Sequence, residues 1–182
     1  AAHDEKEGVV FYSLDQRAAA RPAFRREFRC LGCHMSGDTL GVPGLLMFST
    51  APETRDQQMK IVTIDQRSPL AERWGGWFVT GSSPGVGHLG NQVPPLEGRP
   101  GRVSSVAGLF DPDGYRAMSS DIAALLTFSH QTHMINLLTR ASWEARAADP
   151  AQHDQTPVAP GQEGLVEEML SGIAAEVVDY ML

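Results

Sequence analysis

Residues 30–34 read Cys30-Leu31-Gly32-Cys33-His34, and the interpretation of the whole chain starts from this stretch. Its two cysteines are the only two in the 182 residues. Two thiols with two residues between them lie one short turn apart. At this spacing the two thiols can add to the two vinyl groups of one porphyrin. The adjacent histidine then lies beneath the iron and supplies an axial ligand. The motif therefore predicts one covalent haem c held by Cys30, Cys33 and His34.

Three other uses of the cysteine pair stay open. A thioredoxin-like redox motif would follow a strand in a βαβ unit, whereas the segment before Cys30 is rich in arginine and patterned like a helix. A structural zinc site needs a second pair of ligands, which here would have to be histidines. A structural disulfide between Cys30 and Cys33 would enclose little chain and add little stability.

Composition and charge narrow the class of protein. Hydrophobic residues make up 42% and charged residues 20% of the chain, which is typical of a globular domain. The formal net charge of −7 argues against a nucleic-acid partner. The longest apolar runs are far shorter than the roughly 18 residues of a membrane span. We expect a single domain over residues 1–182, with no membrane span.

In the N-terminal half, the pattern predicts a polar tail over residues 1–8 and a buried strand or extended segment over Val9–Leu14. An amphipathic helix is predicted from Arg17 to Arg29, because two phenylalanines four residues apart lie beside arginines. Residues 35–118 are predicted to be an irregular insertion, since glycine and proline are dense there. Within it, Met59–Ile64 alternates like a β-strand.

In the C-terminal half, apolar residues recur at helical spacing from about residue 119 to Asp149-Pro150. Residues 149–162 then form a predicted linker rich in proline, glutamine and aspartate. A final helix follows it, with a strong apolar stripe that continues to Met181. No stop signal ends this helix, so we expect the natural chain to continue.

A helix that ends in C-x-x-C-H, loops around the haem and a C-terminal amphipathic helix resemble the cytochrome c superfamily. The runs WGGWFVTG (74–81), HLGN (88–91) and SHQTHMINLLTRA (129–141) are similar to those of large bacterial exported haem proteins with one such motif. The resemblance implies a mainly α fold, with a cytochrome-c-like helical core around one haem and 35–118 as a partly β insertion. Haem c matures outside the bacterial cytoplasm, so we expect a periplasmic or otherwise exported protein whose signal peptide has been removed.

The second axial position of the iron has several candidate ligands. His130 and Met134 lie four residues apart on one face of the predicted helix, and His133 flanks that face. His88 lies between glycines that let backbone approach a flat macrocycle. A rigid helix positions a ligand better than a glycine loop, so His130 is the predicted ligand and the other three are alternatives. Three further methionines also remain as candidate ligands: Met47, Met59 and Met118. A sixth position without a protein ligand is the other possibility.

Other residues are candidates for haem contacts. Trp74 and Trp77 flank two glycines, so both rings can lie against the haem plane, with ordinary core packing as the alternative. Arg73 is a candidate partner for a haem propionate, and otherwise a surface residue. If His130 ligates the iron, the N–H on its other ring nitrogen needs a hydrogen-bond acceptor. This acceptor could be a backbone carbonyl, or the side chain of Thr127 or Asn136.

The predicted function is one-electron transfer between a six-coordinate haem and partner redox proteins. No paired carboxylates or Ser-His-Asp arrangement points to a haem-independent enzyme, so no catalytic residue is assigned and an enzyme is the less favoured class. Two alternatives stay open. One is a haem enzyme or a gas or redox sensor with an open or displaceable distal site. The other is the electron-entry domain of a larger oxidoreductase.

Overall fold

The computed structural model describes residues 1–18, 20–52, 59–79, 87–91, 111, 113–114, 122–149 and 163–181. These residues hold three α-helices and six short strands, and the strands form three antiparallel two-stranded sheets. The fold is mixed α/β. The prediction of a mainly α fold with a cytochrome-c-like helical core is therefore wrong.

The chain divides into two compact units. The first comprises residues 1–46 and 132–182, and the second comprises residues 47–131. The first unit contains the cysteine motif, and the second contains most of the predicted insertion. Predictions that fall on residues 80–86, 92–110, 115–121 and 150–162, including Met118 and most of the linker, lie outside the described residues.

Two small hairpins open the first unit. Strands β1 (Ala2–Asp4) and β2 (Gly8–Val10) pair with Ala2 opposite Val10. The Asp4 carboxylate accepts the backbone N–H groups of Lys6 and Glu7 at 2.8 and 2.9 Å, which closes the turn. Residues 1–8 are thus part of a hairpin, and their prediction as a polar tail is wrong. The extended segment over Val9–Leu14 is confirmed, with Val9 and Val10 buried.

The second hairpin replaces the predicted arginine-rich helix. Strand β3 (Tyr12–Leu14) pairs with β4 (Phe24–Arg26), and the ring of Tyr12 meets the edge of Phe24 at a centroid distance of 6.5 Å. A short isolated helix needs an apolar face to bury. Phe24 and Phe28 are instead 72% and 62% exposed, so the predicted stripe has no core to pack against. The prediction of a helix over residues 17–29 is wrong for this reason.

Three α-helices follow the hairpins along the chain. Helix α1 (Leu31–His34) is a single turn, whereas α2 (Ile122–Ala148) and α3 (Glu163–Met181) are long. The two long helices confirm the predictions from apolar spacing, and α2 ends two residues before a proline. In the first unit, a buried cluster of three residues forms the core: Met134, Leu137 and Tyr180. None of the described helices is both long enough and apolar enough to cross a membrane.

The second unit is built around one hairpin. Strand β5 (Phe48–Pro52) pairs with β6 (Met59–Thr63), which confirms the predicted strand at residues 59–64. The backbone of Gly75 lies directly against β5, because the N–H of Thr50 donates to the Gly75 carbonyl at 2.9 Å. The buried core consists of five apolar residues: Met47, Ile64, Trp74, Val79 and Leu125.

Candidate haem-attachment site

The cysteine motif forms one compact turn. A 3₁₀ turn over Phe28–Cys30 leads directly into α1, and the N–H of Met35 donates to the Leu31 carbonyl at 3.0 Å. Cys30 and Cys33 are three residues apart in this helical turn, so their side chains share a face. Both are free thiols, Cys30 half-buried and Cys33 exposed. The turn therefore offers two accessible thiols at short separation.

The orientation of His34 is fixed by a hydrogen bond. Its Nδ1 lies 3.0 Å from the carbonyl oxygen of Gly44. A carbonyl only accepts, so Nδ1 carries the proton and, in the neutral ring, Nε2 carries a lone pair. In return the N–H of Gly44 donates to the His34 carbonyl at 2.8 Å. The ring of Phe11 packs on the imidazole at a centroid distance of 4.5 Å. His34 thus has the tautomer that ligates a metal through Nε2.

These residues fit a covalently attached haem. The donor set contains two free thiols on one turn and a neighbouring imidazole with an unprotonated Nε2. Large apolar side chains beside the motif are solvent-exposed: Phe28, two residues before it, and Met35, immediately after it. These two side chains leave apolar surface available to a bound group beside the motif. The faces of a haem macrocycle are apolar, so haem is a ligand that these side chains could contact.

A pocket of about 250 Å³ lies beside the motif turn. Leu31 and Met35, four residues apart, contribute to its wall, together with Phe11, Phe28 and Trp143. The thiols and His34 do not line it.

Two alternative axial ligands lie in the first unit with the motif. Met134 is only 7% exposed and belongs to the core cluster with Leu137 and Tyr180. The ring of His133 packs against Tyr180 at a centroid distance of 4.6 Å. Both side chains thus pack against Tyr180, which favours a structural interpretation of them.

His88 and His130 lie in the second unit. The N–H of Gly90 donates to Nδ1 of His88 at 3.0 Å, so the proton of the neutral His88 ring is on Nε2. This is the opposite tautomer to that of His34, and it leaves no lone pair on Nε2 for a metal. His130 is half-buried on α2. Its assignment as the second axial ligand stays a prediction.

The other predicted haem contacts have structural roles in the second unit. Trp74 is fully buried in the core, and its ring meets His88 at a centroid distance of 5.4 Å. Trp77 is partly exposed and donates from Nε1 to the Phe48 carbonyl at 2.7 Å. Arg73 is buried and donates from Nε to the Ser68 carbonyl at 2.7 Å. These contacts favour the core interpretation for Trp74 and a turn-stabilising role for Arg73.

Sequence reasoning missed two partners of His34. Phe11 falls within the predicted extended segment Val9–Leu14, and Gly44 falls within the predicted irregular insertion over residues 35–118. A histidine that ligates a metal generally donates from its other ring nitrogen to a carbonyl or a carboxylate. This rule predicts the type of partner but not its position in the chain.

Comparison with known proteins identifies no relative: no family model, curated protein or solved structure matches the chain. The parts of the chain that the structure describes contain no group of three or more His, Cys, Asp or Glu side chains placed to hold a metal ion. The zinc alternative therefore has no ligand set among those residues.

Proposed function

We propose that this chain binds one haem c covalently through Cys30 and Cys33, with His34 as the proximal iron ligand, and exchanges single electrons with partner redox proteins. The observation that carries the proposal is the bond from Nδ1 of His34 to the Gly44 carbonyl, since it leaves Nε2 unprotonated on the same turn as two free thiols. The bound haem supplies a one-electron Fe(III)/Fe(II) couple. The protein belongs, on this proposal, among exported c-type haem proteins, on a mixed α/β scaffold.

The chain's own residues perform three tasks. The two thiols fix the group covalently to one turn, so it stays with the chain in both oxidation states. Gly44 holds the imidazole of His34 through its carbonyl, which fixes the ring orientation and the tautomer. Phe11 packs on one side of the imidazole and limits its rotation.

The sixth ligand distinguishes electron transfer from ligand chemistry. A histidine as the sixth ligand, for which His130 stays the predicted residue, would give an iron that does not readily bind small molecules. A haem enzyme or a gas sensor needs an open or displaceable site instead. Optical spectra of the reduced protein with and without CO separate these classes.

We expect a low-spin spectrum with a sharp α band that CO does not change. His130→Ala should convert the haem to a high-spin or CO-binding form. His88→Ala is the matched control, because its Nδ1 already accepts the Gly90 N–H, and it should leave the spectrum low-spin. A wild-type protein that binds CO at once would overturn the electron-transfer proposal in favour of the enzyme or sensor. If only His88→Ala converts the haem to a high-spin or CO-binding form, the sixth ligand is His88 in the loop and not His130.

A further inference from the structure

Asn136 is a buried amide with a specific task. It lies on α2 within the first unit and is only 1% exposed. Its Oδ1 accepts the N–H of Leu45 at 2.8 Å, and its Nδ2 donates to the Leu45 carbonyl at 2.8 Å. Both backbone groups of Leu45 are therefore held by one side chain. A buried amide with two such bonds fixes a backbone position strongly, because each bond lost leaves an unsatisfied polar group.

Gly44 directly precedes Leu45 in the chain, and it is the hydrogen-bond partner of the His34 side chain. Its carbonyl accepts from Nδ1 of His34 at 3.0 Å. A Cβ atom at Gly44 would lie 2.8 Å from Cγ of Asn136 and 2.9 Å from Cβ of Thr39. The Asn136 amide is thus packed against Gly44 itself, and a displacement of the amide would move the carbonyl on which His34 depends.

We propose that Asn136 is a positioning residue for His34. It fixes the Gly44-Leu45 backbone and so aims the carbonyl that receives the Nδ1 proton. The inference deepens the proposed function, and it rests on that function for the statement that His34 is an iron ligand. The tautomer of His34 in the chain without haem depends only on the hydrogen-bond geometry, so it tests the positioning role independently.

The positioning role has a direct consequence for the metal. A hydrogen bond to a fixed carbonyl would make the imidazole of a ligating His34 a stronger electron donor, which would favour the ferric state. Weakening this bond should shift the reduction potential to more positive values. A residue that only stabilises the fold would not change the potential in this way.

The first measurement is the tautomer of His34 by ¹⁵N NMR in the chain of residues 1–182 prepared without haem. We expect the Nδ1–H form in the wild type, and a shift toward the Nε2–H form in Asn136→Ser, whose hydroxyl cannot reach both groups of Leu45. Leu137→Ala is the control, because Leu137 is fully buried on the same helix and has its contacts in the Met134 and Tyr180 cluster. It should lower stability and keep the Nδ1–H form.

The proposal is overturned if Asn136→Ser keeps the wild-type tautomer, or if Leu137→Ala changes it equally. If the serine variant does not fold, Asn136→Asp gives the same readout, since its carboxylate still accepts the Leu45 N–H but cannot donate to the carbonyl. The second measurement is the reduction potential of the haem-loaded proteins, which should rise in Asn136→Ser and not in Leu137→Ala. Absence of haem from the wild type would refute the proposed function and leave the tautomer result standing.

Discussion

Replacing Gly44 with alanine tests the packing on which His34 depends. The added Cβ would lie 2.8 Å from Cγ of Asn136, closer still to its Oδ1, and 2.9 Å from Cβ of Thr39. Either the loop or the Asn136 amide must move, and both movements break the two hydrogen bonds to Leu45. Each bond contributes about 1 kcal/mol and leaving buried groups unsatisfied costs more, so the loss is about 2–4 kcal/mol.

Urea unfolding followed by far-UV circular dichroism measures this loss. Gly172→Ala is the matched control, because Gly172 lies within α3 and a Cβ there meets nothing within 4 Å. Alanine in an exposed helix should raise stability by about 0.5–1 kcal/mol. The reasoning is refuted if Gly44→Ala unfolds within about 0.5 kcal/mol of the wild type, since such a loss is smaller than one hydrogen bond.

Two further substitutions test other parts of the account. Gly75→Ala should destabilise the second unit by about 3 kcal/mol. The added Cβ would lie 2.7 Å from the Thr50 carbonyl carbon, a backbone atom of β5. Thermal unfolding measures the loss, with Gly87→Ala as the control because a Cβ at Gly87 meets nothing within 4 Å. Arg26 donates to Glu7 and holds the pKa of that carboxyl below its ordinary value of 4.5. The stabilisation is then present above pH 4.5 and lost as the pH falls through the lowered pKa. Glu7→Gln should therefore lower the unfolding midpoint at neutral pH, and the difference from the wild type should vanish in acid; a difference independent of pH would contradict the ion pair.

The long helices were predictable because their apolar residues keep helical spacing over many turns. Helix α2 and helix α3 agree with the pattern, as does β6 with its alternation. The segment before the cysteines was not predictable in this way. Its two phenylalanines fit a helical stripe, but the backbone of Phe24–Arg26 pairs with Tyr12–Leu14 instead. Cross-strand pairing depends on a partner segment, and a short stripe does not show whether a core exists to receive it.

The candidate donors come from the sequence, whereas the contacts that support them come only from the structure. Spacing predicts Cys30, Cys33 and His34 as the donors, because haem attachment would need two thiols on one turn and an adjacent imidazole. Asn136 was expected near His130, yet its amide binds Leu45, 91 residues earlier in the chain. Contacts at such separation follow from tertiary packing, which leaves no periodic signal in the sequence.

The mass of the intact protein, expressed with an export signal and a haem c maturation system, tests the central claim most directly. The account predicts the mass of the chain plus one haem, retained in denaturant, and loss of that addition in the Cys30→Ala/Cys33→Ala variant. The mass of the bare chain would contradict the account, as would a chain lighter by two hydrogens, the mark of a disulfide between the same two cysteines.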